Sequence, residues 1–356
     1  MSWEFDHITL GQRVRFGTGK AAENLAAEIA RLDAKRVLLI AAEDDEHLAS
    51  AVTSGIEVAA RCSDVAPHVP VPHAERARAQ ATDSAADVLV SVGGGSTTGL
   101  AKAVALTTGL PIVAVPTTYA GSEATNVWGL TEAARKTTGT DDRVLPTTVV
   151  YDATLTRSLP TELAVASGLN ALAHCVDSMW APRTDPINQA LAVESIRAIS
   201  SGLPLITKSP DDLRGREKTL YGAYLAAVAF ASAGSGLHHK ICHVLGGAYD
   251  LPHAQTHAAV LPYVLAFNSP AAGEAAAKIA DALGSDDAVS GLSSLYAELG
   301  ASHALRDTGM AEAAIPEAVE LILPVVPASN PRTATQDDMN ALLTAAWAGR
   351  PPATSI

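Results

Sequence analysis

Ala86-Asp-Val-Leu-Val-Ser-Val92 runs directly into Gly93-Gly-Gly-Ser-Thr-Thr-Gly99, and Leu100-Ala-Lys102 then opens a segment of helical spacing. The short apolar run fits a strand buried on both faces, as in a parallel sheet. Glycines at a strand-to-helix turn let the backbone approach a ligand closely, and the free N–H groups of a helix start bind phosphate. The spacing is not the Gly-x-Gly-x-x-Gly fingerprint, and three glycines alone fit a plain tight turn equally well. The strand before and the helix after favour the phosphate reading. Gly93, Gly94, Gly95, Ser96 and Thr97 are the candidate cofactor-binding residues here.

Working outward, the first 158 residues alternate strand and helix. Arg36–Ala41 and Pro111–Val115 are further short apolar strands, and Lys20–Leu32, Glu46–Ala60 and His73–Ala85 have helical spacing. This alternation predicts an α/β domain over residues 1–158, a parallel sheet with helices on both faces. The Pro111–Val115 strand ends in Pro116-Thr-Thr-Tyr-Ala-Gly-Ser122. Hydroxyls of Thr117, Thr118 and Ser122 would therefore lie at the carboxyl edge of the sheet, where such sheets bind ligands. Lys136 reads equally as a ribose or phosphate contact and as a solvated lysine beside Arg135.

From residue 159 onward the pattern is helical. Pro160–Trp180, Pro186–Ser200, Asp211–Ala233, Ala271–Leu283, Asp287–Leu299, Glu317–Leu323 and Gln336–Ala348 have helical spacing, with glycine or proline in the gaps. Residues 159–356 thus form the second, all-α domain. A boundary near Arg157–Pro160 predicts a cleft between the domains that suits a ligand.

Five of the eleven histidines fall between Leu237 and His257. His239 and His243 share one helical face, Gly246 and Gly247 are expected to end that helix, and Pro252 precedes His253 at the start of the next. Imidazoles in an otherwise apolar, glycine-rich hairpin can ligate metal, move protons or bind anions. Asn170 and His174 lie four apart on an apolar helix. They either satisfy each other inside a core or join the histidines in a site.

A length of 356 residues suits two domains, and 48% hydrophobic with 18% charged residues is globular. The net charge of −13 argues against nucleic acid or an anionic membrane as partner, while leaving a small anionic substrate possible. Cys62, Cys175 and Cys242 form no disulfide framework, which points to a reducing compartment. The N-terminus does not read as a signal peptide, and no apolar run reaches the ~20 residues of a membrane span. A soluble, cytoplasmic protein is expected.

The joint occurrence of Gly93–Thr98, Pro116–Thr125, Asn170–His174 and His239–His253 resembles the iron-containing alcohol dehydrogenase and dehydroquinate-synthase-like superfamily, over nearly the whole chain. The resemblance implies nucleotide binding by the first domain, a helical second domain, catalysis in the cleft, and a homodimer. The metal-dependent members place one Asp and three His around a cation; here those positions are Asn170, His174, His239 and His253. A neutral amide is a poor ligand for a hard cation and should weaken binding strongly, though three histidines could still hold zinc. Asn170, the Leu237-His-His-Lys240 sequence and Gly99 instead look like the maleylacetate reductases. These would use NADH or NADPH without metal to reduce a small dicarboxylate.

On that resemblance His243 is the candidate proton donor nearest the nicotinamide, and His253 and His239 bind an oxyanion or carboxylate. His174, Asn170 and Lys240 support them, and Tyr119 closes the cofactor side. NAD-specific members carry an acid after the strand equivalent to Val37–Ile40; alignment puts Ala42 there, with Glu43 next. Ala42 implies use of both NADH and NADPH, whereas a one-residue slip to Glu43 restores NADH preference.

Overall fold

The computed structural model describes residues 4–132, 135–301 and 304–352, with the side chains of residues 135 and 136 outside the description. The chain divides into two compact units, Leu10–Leu159 and a second made of Pro160 onward together with the segment up to Thr9. That segment belongs with the second unit through His7, whose Nδ1 lies 2.8 Å from Asp185 Oδ2.

The first unit holds β1 (Arg13–Phe16), α1 (Ala21–Arg31), β2 (Val37–Ile40), α2 (Glu46–Val52), β3 (Val58–Cys62), α3 (Val71–Asp83), β4 (Val88–Gly93), α4 (Gly95–Thr108), β5 (Ile112–Pro116), β6 (Val127–Glu132), β7 (Arg135–Thr140) and β8 (Thr148–Tyr151). Six strands form one parallel sheet in the order β1-β8-β5-β4-β2-β3. Alternation of side chains along each strand builds two cores. Val37 and Leu39 of β2 join Leu25 and Ile29 of α1 and Val52 of α2 on one face. Leu38 and Ile40 join Ala74 and Ala77 of α3 and Leu100 and Val104 of α4 on the other. Helices therefore cover both faces, which is why β2, β4 and β5 read as unbroken apolar runs.

From β2 the chain passes to β3 on one side, and from β4 it passes to β5 on the other. The carboxyl ends of β2 and β4 thus flank the point where strand order reverses, and such a point opens a ligand crevice.

Two expectations need correction here. The helix expected over Glu46–Ala60 stops at Val52, a turn through Gly55 follows, and Val58–Cys62 is an edge strand with alternating burial. The apolar spacing of Val58, Ala60 and Cys62 has a period of two, which the helical reading absorbed. Strands β1 and β8 and the antiparallel β6–β7 hairpin were also not foreseen. Each is short, and glycine, threonine or charged residues interrupt or flank its apolar positions, so no run of strand length stands out.

The second unit contains α5 (Thr161–Ser178), α6 (Pro186–Lys208), α7 (Leu213–Ala233), α8 (Leu237–Tyr249), α9 (His253–Asn268), α10 (Gly273–Leu283), α11 (Ala288–Leu299), α12 (Ile315–Ile322) and α13 (Gln336–Ala348). From Ala164 to Ser178 every residue of α5 is buried, so this helix is the spine of the unit. Helix α6 continues past Ser200 to Lys208 with Pro204 inside it. Gly246 and Gly247 do not end α8: the helix runs to Tyr249 and is closed by Asp250 in the left-handed region. Leu237, Ile241 and Leu245 form an i, i+4 stripe in the core that Tyr249 extends, and this packing outweighs the helix-breaking tendency of the glycine pair. No single described helix is long and apolar enough to cross a membrane.

Candidate active site

At the β4 turn, Gly93 adopts φ +150°, and a Cβ there would fall 2.5 Å from Thr97 Oγ1 and 3.0 Å from Asp45 Oδ2. Only glycine satisfies both the torsion and the space. Helix α4 begins at Gly95 with Gly94 as N-cap and no capping side chain, and its first turn carries no acid. Its first N–H groups stay available to an anion, with the positive end of the helix dipole behind them. Gly94, Gly95, Ser96, Thr118 and Ser122 are partly exposed around this edge, whereas Thr97 and Thr117 are buried. Thr97 packs beneath Gly93, and the Thr117 N–H donates to Gly93 O at 3.1 Å, so these two shape the turn.

Lys102, fully buried in α4, donates to Ser122 O (2.6 Å), Thr125 O (2.8 Å), Thr125 Oγ1 (3.0 Å) and Val127 O (2.8 Å). It pins the segment after β5 against the helix behind the glycine turn. Burial lowers its pKa to about 7.

In the helical unit, α5, α8 and α9 bring six histidines into one cluster. His174 stacks on His239 with ring centres 4.9 Å apart, and His239 lies 6.0 Å from His243 and 4.8 Å from His257. His253 is 4.3 Å from His257, and His238 is 5.0 Å from both His239 and His257. Helical spacing assembles the group: His239 and His243 share one face of α8, and His253 and His257 share one face of α9. His243 and His253 are exposed, whereas His174, His238, His239 and His257 are buried.

Burial, reinforced by the neighbouring imidazoles, lowers the pKa of His174 to about 3 and that of His239 and His257 well below 6.5. His238 falls to about 4, mainly by burial. The inner imidazoles are therefore neutral at neutral pH. Asn170 Oδ1, His174 Nδ1, His239 Nε2 and both ring nitrogens of His257 are buried without a protein partner. Asn170 and His174 thus do not use these atoms on each other. Five bare polar atoms in one apolar setting mark a place built to be completed by a ligand.

Asp177, one turn beyond His174 on α5, was not singled out from the sequence. It is fully buried, and its Oδ2 lies 2.8 Å from His239 Nδ1. His257 and His238 were noticed only as part of the histidine-rich stretch. The i, i+4 step from His253 to His257 was the available signal.

Of the other expected residues, Lys240 is half-buried and close enough for its charge to favour the Asp177 carboxylate. Tyr119 sits in the α/β unit, has no exposed surface and donates to Thr156 Oγ1 at 3.4 Å. Lys136 lies in β7, and its side chain is outside the described residues.

A parallel α/β unit with a glycine-rich strand-to-helix turn, followed by a helical unit carrying an imidazole cluster, defines a class of nicotinamide-dependent oxidoreductases. The chain belongs to the iron-containing alcohol dehydrogenase family. The model for iron-containing alcohol dehydrogenase matches residues 11–153, and that for the C-terminal region of the Fe-containing alcohol dehydrogenase family matches residues 164–347. The chain is 43% identical to a maleylacetate reductase of Sphingobium indicum, over 99% of this chain and 100% of that one. It is 47% identical to maleylacetate reductase 2 of Cupriavidus pinatubonensis, over 96% of each. Among solved structures it matches an iron-containing alcohol dehydrogenase from Corynebacterium glutamicum (TM-score 0.98, 58% identity, 99% of each chain). It also matches a maleylacetate reductase from Agrobacterium tumefaciens (TM-score 0.94, 38% identity, 99% of this chain and 100% of that one).

The family name carries iron, so the donor set matters. His238, His239 and His257 place one nitrogen each within 4.8 Å of one another. Two of these rings are already engaged, His238 Nε2 with His257 O (3.0 Å) and His239 Nδ1 with Asp177. The Asp177 carboxylate faces N–H donors, and the remaining bare oxygen is the neutral amide of Asn170. Imidazoles suit iron or zinc, but the anionic oxygen that completes such a set is replaced here by a neutral amide, which weakens the hold on a divalent cation.

Proposed function

We propose that this chain is a maleylacetate reductase, reducing the carbon–carbon double bond of maleylacetate to 3-oxoadipate at the expense of NADH or NADPH, with no resident metal. The observation that carries the proposal is Asn170 with its bare Oδ1, one helical turn before His174 on α5, where the metal-dependent pattern has a carboxylate. Relatives bearing the maleylacetate reductase name at 43% and 47% identity over almost the whole chain support it.

The N–H groups of the glycine turn would hold the phosphates of a reduced nicotinamide cofactor, whose chemistry is to supply a hydride to the carbon β to the ketone. The double-bond electron pair then becomes an enolate, and a proton completes the α carbon. An enone conjugated to a carboxylate needs its oxyanion stabilised rather than an isolated carbonyl polarised, so hydrogen-bond donors can replace a Lewis acid. The exposed imidazoles of His243 and His253 exchange protons with water and are the proton donors in this scheme. The N–H groups of the Asn170 amide and of the neutral His174 imidazole hold the oxyanion and a carboxylate, with His239 stacked against His174 behind them. All three cysteines are free thiols, in keeping with a cytoplasmic enzyme.

NADH consumption with maleylacetate, set against simple aldehydes and alcohols with NAD, tests the proposal. Turnover of maleylacetate is expected with little activity on the aldehydes. Metal-stimulated alcohol oxidation with no maleylacetate turnover would establish the alcohol dehydrogenase alternative instead.

A further inference from the structure

Asp177 occupies a place that the chain has cleared for it. Its carboxylate closes the N-terminus of α8: Oδ2 accepts from Gly236 N at 2.8 Å and His239 N at 3.3 Å, and Oδ1 accepts from His238 N at 3.3 Å. A Cβ on Gly236 would lie 2.4 Å from Asp177 Oδ1, so Gly236 is side-chain-free where the carboxylate enters. The same Oδ2 lies 2.8 Å from His239 Nδ1. Asn170, His174 and Asp177 follow one another at i, i+4 and i+7 along α5, so one helical face carries the bare amide, the stacked imidazole and the carboxylate.

We propose that Asp177 is a positioning residue for the reduction, acting through His239. By accepting the Nδ1–H of His239 it fixes both the ring orientation and the tautomer. The Nε2 atom, bare and buried, is then the one offered to the bound ligand. A carboxylate behind an imidazole also raises the basicity of the far nitrogen and holds the ring against rotation. Because the same carboxylate caps α8, the ring is registered to the helix that also carries His243. An Asp whose only task was capping would not need to reach the Nδ1 atom as well. This role rests on the maleylacetate reductase reading for its kinetic consequence, but not for its structural one.

Two measurements decide it. In uniformly ¹⁵N-histidine-labelled enzyme without substrate, the His239 side chain, assigned by its loss in His239→Gln, is expected to carry its proton on Nδ1 with an unprotonated Nε2. A resting His239 protonated at Nε2 alone would overturn the proposal, whatever the activity of the enzyme. In kinetics, Asp177→Asn is expected to lower kcat for maleylacetate by roughly 10- to 100-fold, with KM for NADH changed less than about twofold. Asp177→Glu should recover part of the loss. Gly236→Ala, which displaces the carboxylate without removing its charge, should lower kcat in the same direction. Unchanged kcat in Asp177→Asn, or an equal loss in Asp177→Asn and Asp177→Glu, would overturn it. Should Asp177→Asn fail to fold, the wild-type tautomer still decides. A wild-type enzyme inactive on maleylacetate with the expected tautomer would reject the substrate and leave the positioning intact.

Discussion

The imidazoles of His174 and His239 lie nearly parallel, 4.9 Å between centres and 18° between planes, although they come from different helices. Phe230 closes on both, 4.8 Å from His174 and 4.2 Å from His239. Two imidazolium rings in such a setting would repel each other without water to screen them, so the stack is stable only while the rings are neutral.

Stability should therefore fall in mild acid. The folded-state pKa values of His174 (about 3), His238 (about 4), His239 and His257 are all depressed below 6.5. Below about pH 6.5 the unfolded chain takes up protons that the folded protein refuses, so stability is highest above that pH and is lost as pH falls towards the folded values. Each group contributes at most about 1.4 kcal/mol per pH unit. Asp177, raised to about 7 by burial, works in the opposite direction, but it is one group against four. The thermal unfolding midpoint should drop between about pH 6.5 and pH 5.5 and be nearly flat just above. A midpoint that rises through this interval would mean that the inner histidines are already charged or solvated.

His243→Ala and His253→Ala should each reduce kcat by about 10²-fold, the usual scale for losing a proton donor or oxyanion partner. His73→Ala should be close to neutral, because the half-exposed pair of His73 Nδ1 with Asp64 Oδ1 at 2.8 Å is a surface contact. Steady-state kinetics of the three variants and the His243→Ala, His253→Ala double variant are the check. A double variant with near-wild-type kcat would remove the cluster from the chemistry.

Much of this was legible in the chain itself. The unbroken apolar runs of β2, β4 and β5 announced a sheet buried on both sides, and the glycine turn after Val92 fixed its direction. The histidine-rich stretch announced the site. The short strands β1 and β8 and the β6–β7 hairpin were silent because a few apolar residues between polar flanks do not announce a strand until its pairing partner is known. Asp177 was silent for another reason. An acid inside an apolar helix looks like an anomaly until its partners appear, and those partners are N–H groups some sixty residues away, with no side-chain signature. Likewise, Gly246 and Gly247 read as a helix end because the packing of Leu245 and Tyr249 that carries α8 through them is a tertiary fact.

Activity should survive exhaustive chelation, because the bare oxygen one helical turn before His174 belongs to the amide of Asn170. Asn170→Asp supplies the missing anionic oxygen and should raise affinity for a divalent cation by at least about tenfold, an arbitrary but measurable threshold of about 1.4 kcal/mol. Metal analysis after dialysis against zinc or ferrous ion, with calorimetric titration of both proteins, measures it. If wild-type turnover is abolished by chelator and restored by zinc or iron, the metal-free proposal is wrong and the imidazoles are ligands.

The last expectation concerns cofactor choice, for which the structure offers a further acid beside the glycine turn. Ala42 precedes a single 3₁₀ turn, Glu43–Asp45, and Glu43 and Asp44 point into solvent. Asp45 is half-buried instead, and its Oδ2 comes within 3.0 Å of the space a Cβ on Gly93 would take. Burial raises its pKa, as expected for a carboxylate drawn into a crevice. A carboxylate beside the glycine turn at the strand-order reversal can accept a hydrogen bond from an adenosine ribose hydroxyl and repel a 2′-phosphate. Should Asp45 be the acid that meets the ribose, rather than Glu43, NADH should be preferred over NADPH, against the use of both that Ala42 implies. Asp45→Ala should shift the NADPH-to-NADH ratio of kcat/KM upward by about tenfold, equivalent to about 1.4 kcal/mol of transition-state discrimination. Kinetics with both cofactors on both proteins decide it. Equal use of the two cofactors by the wild type, with no change in Asp45→Ala, would return the choice to Ala42 and leave Asp45 with a structural task only.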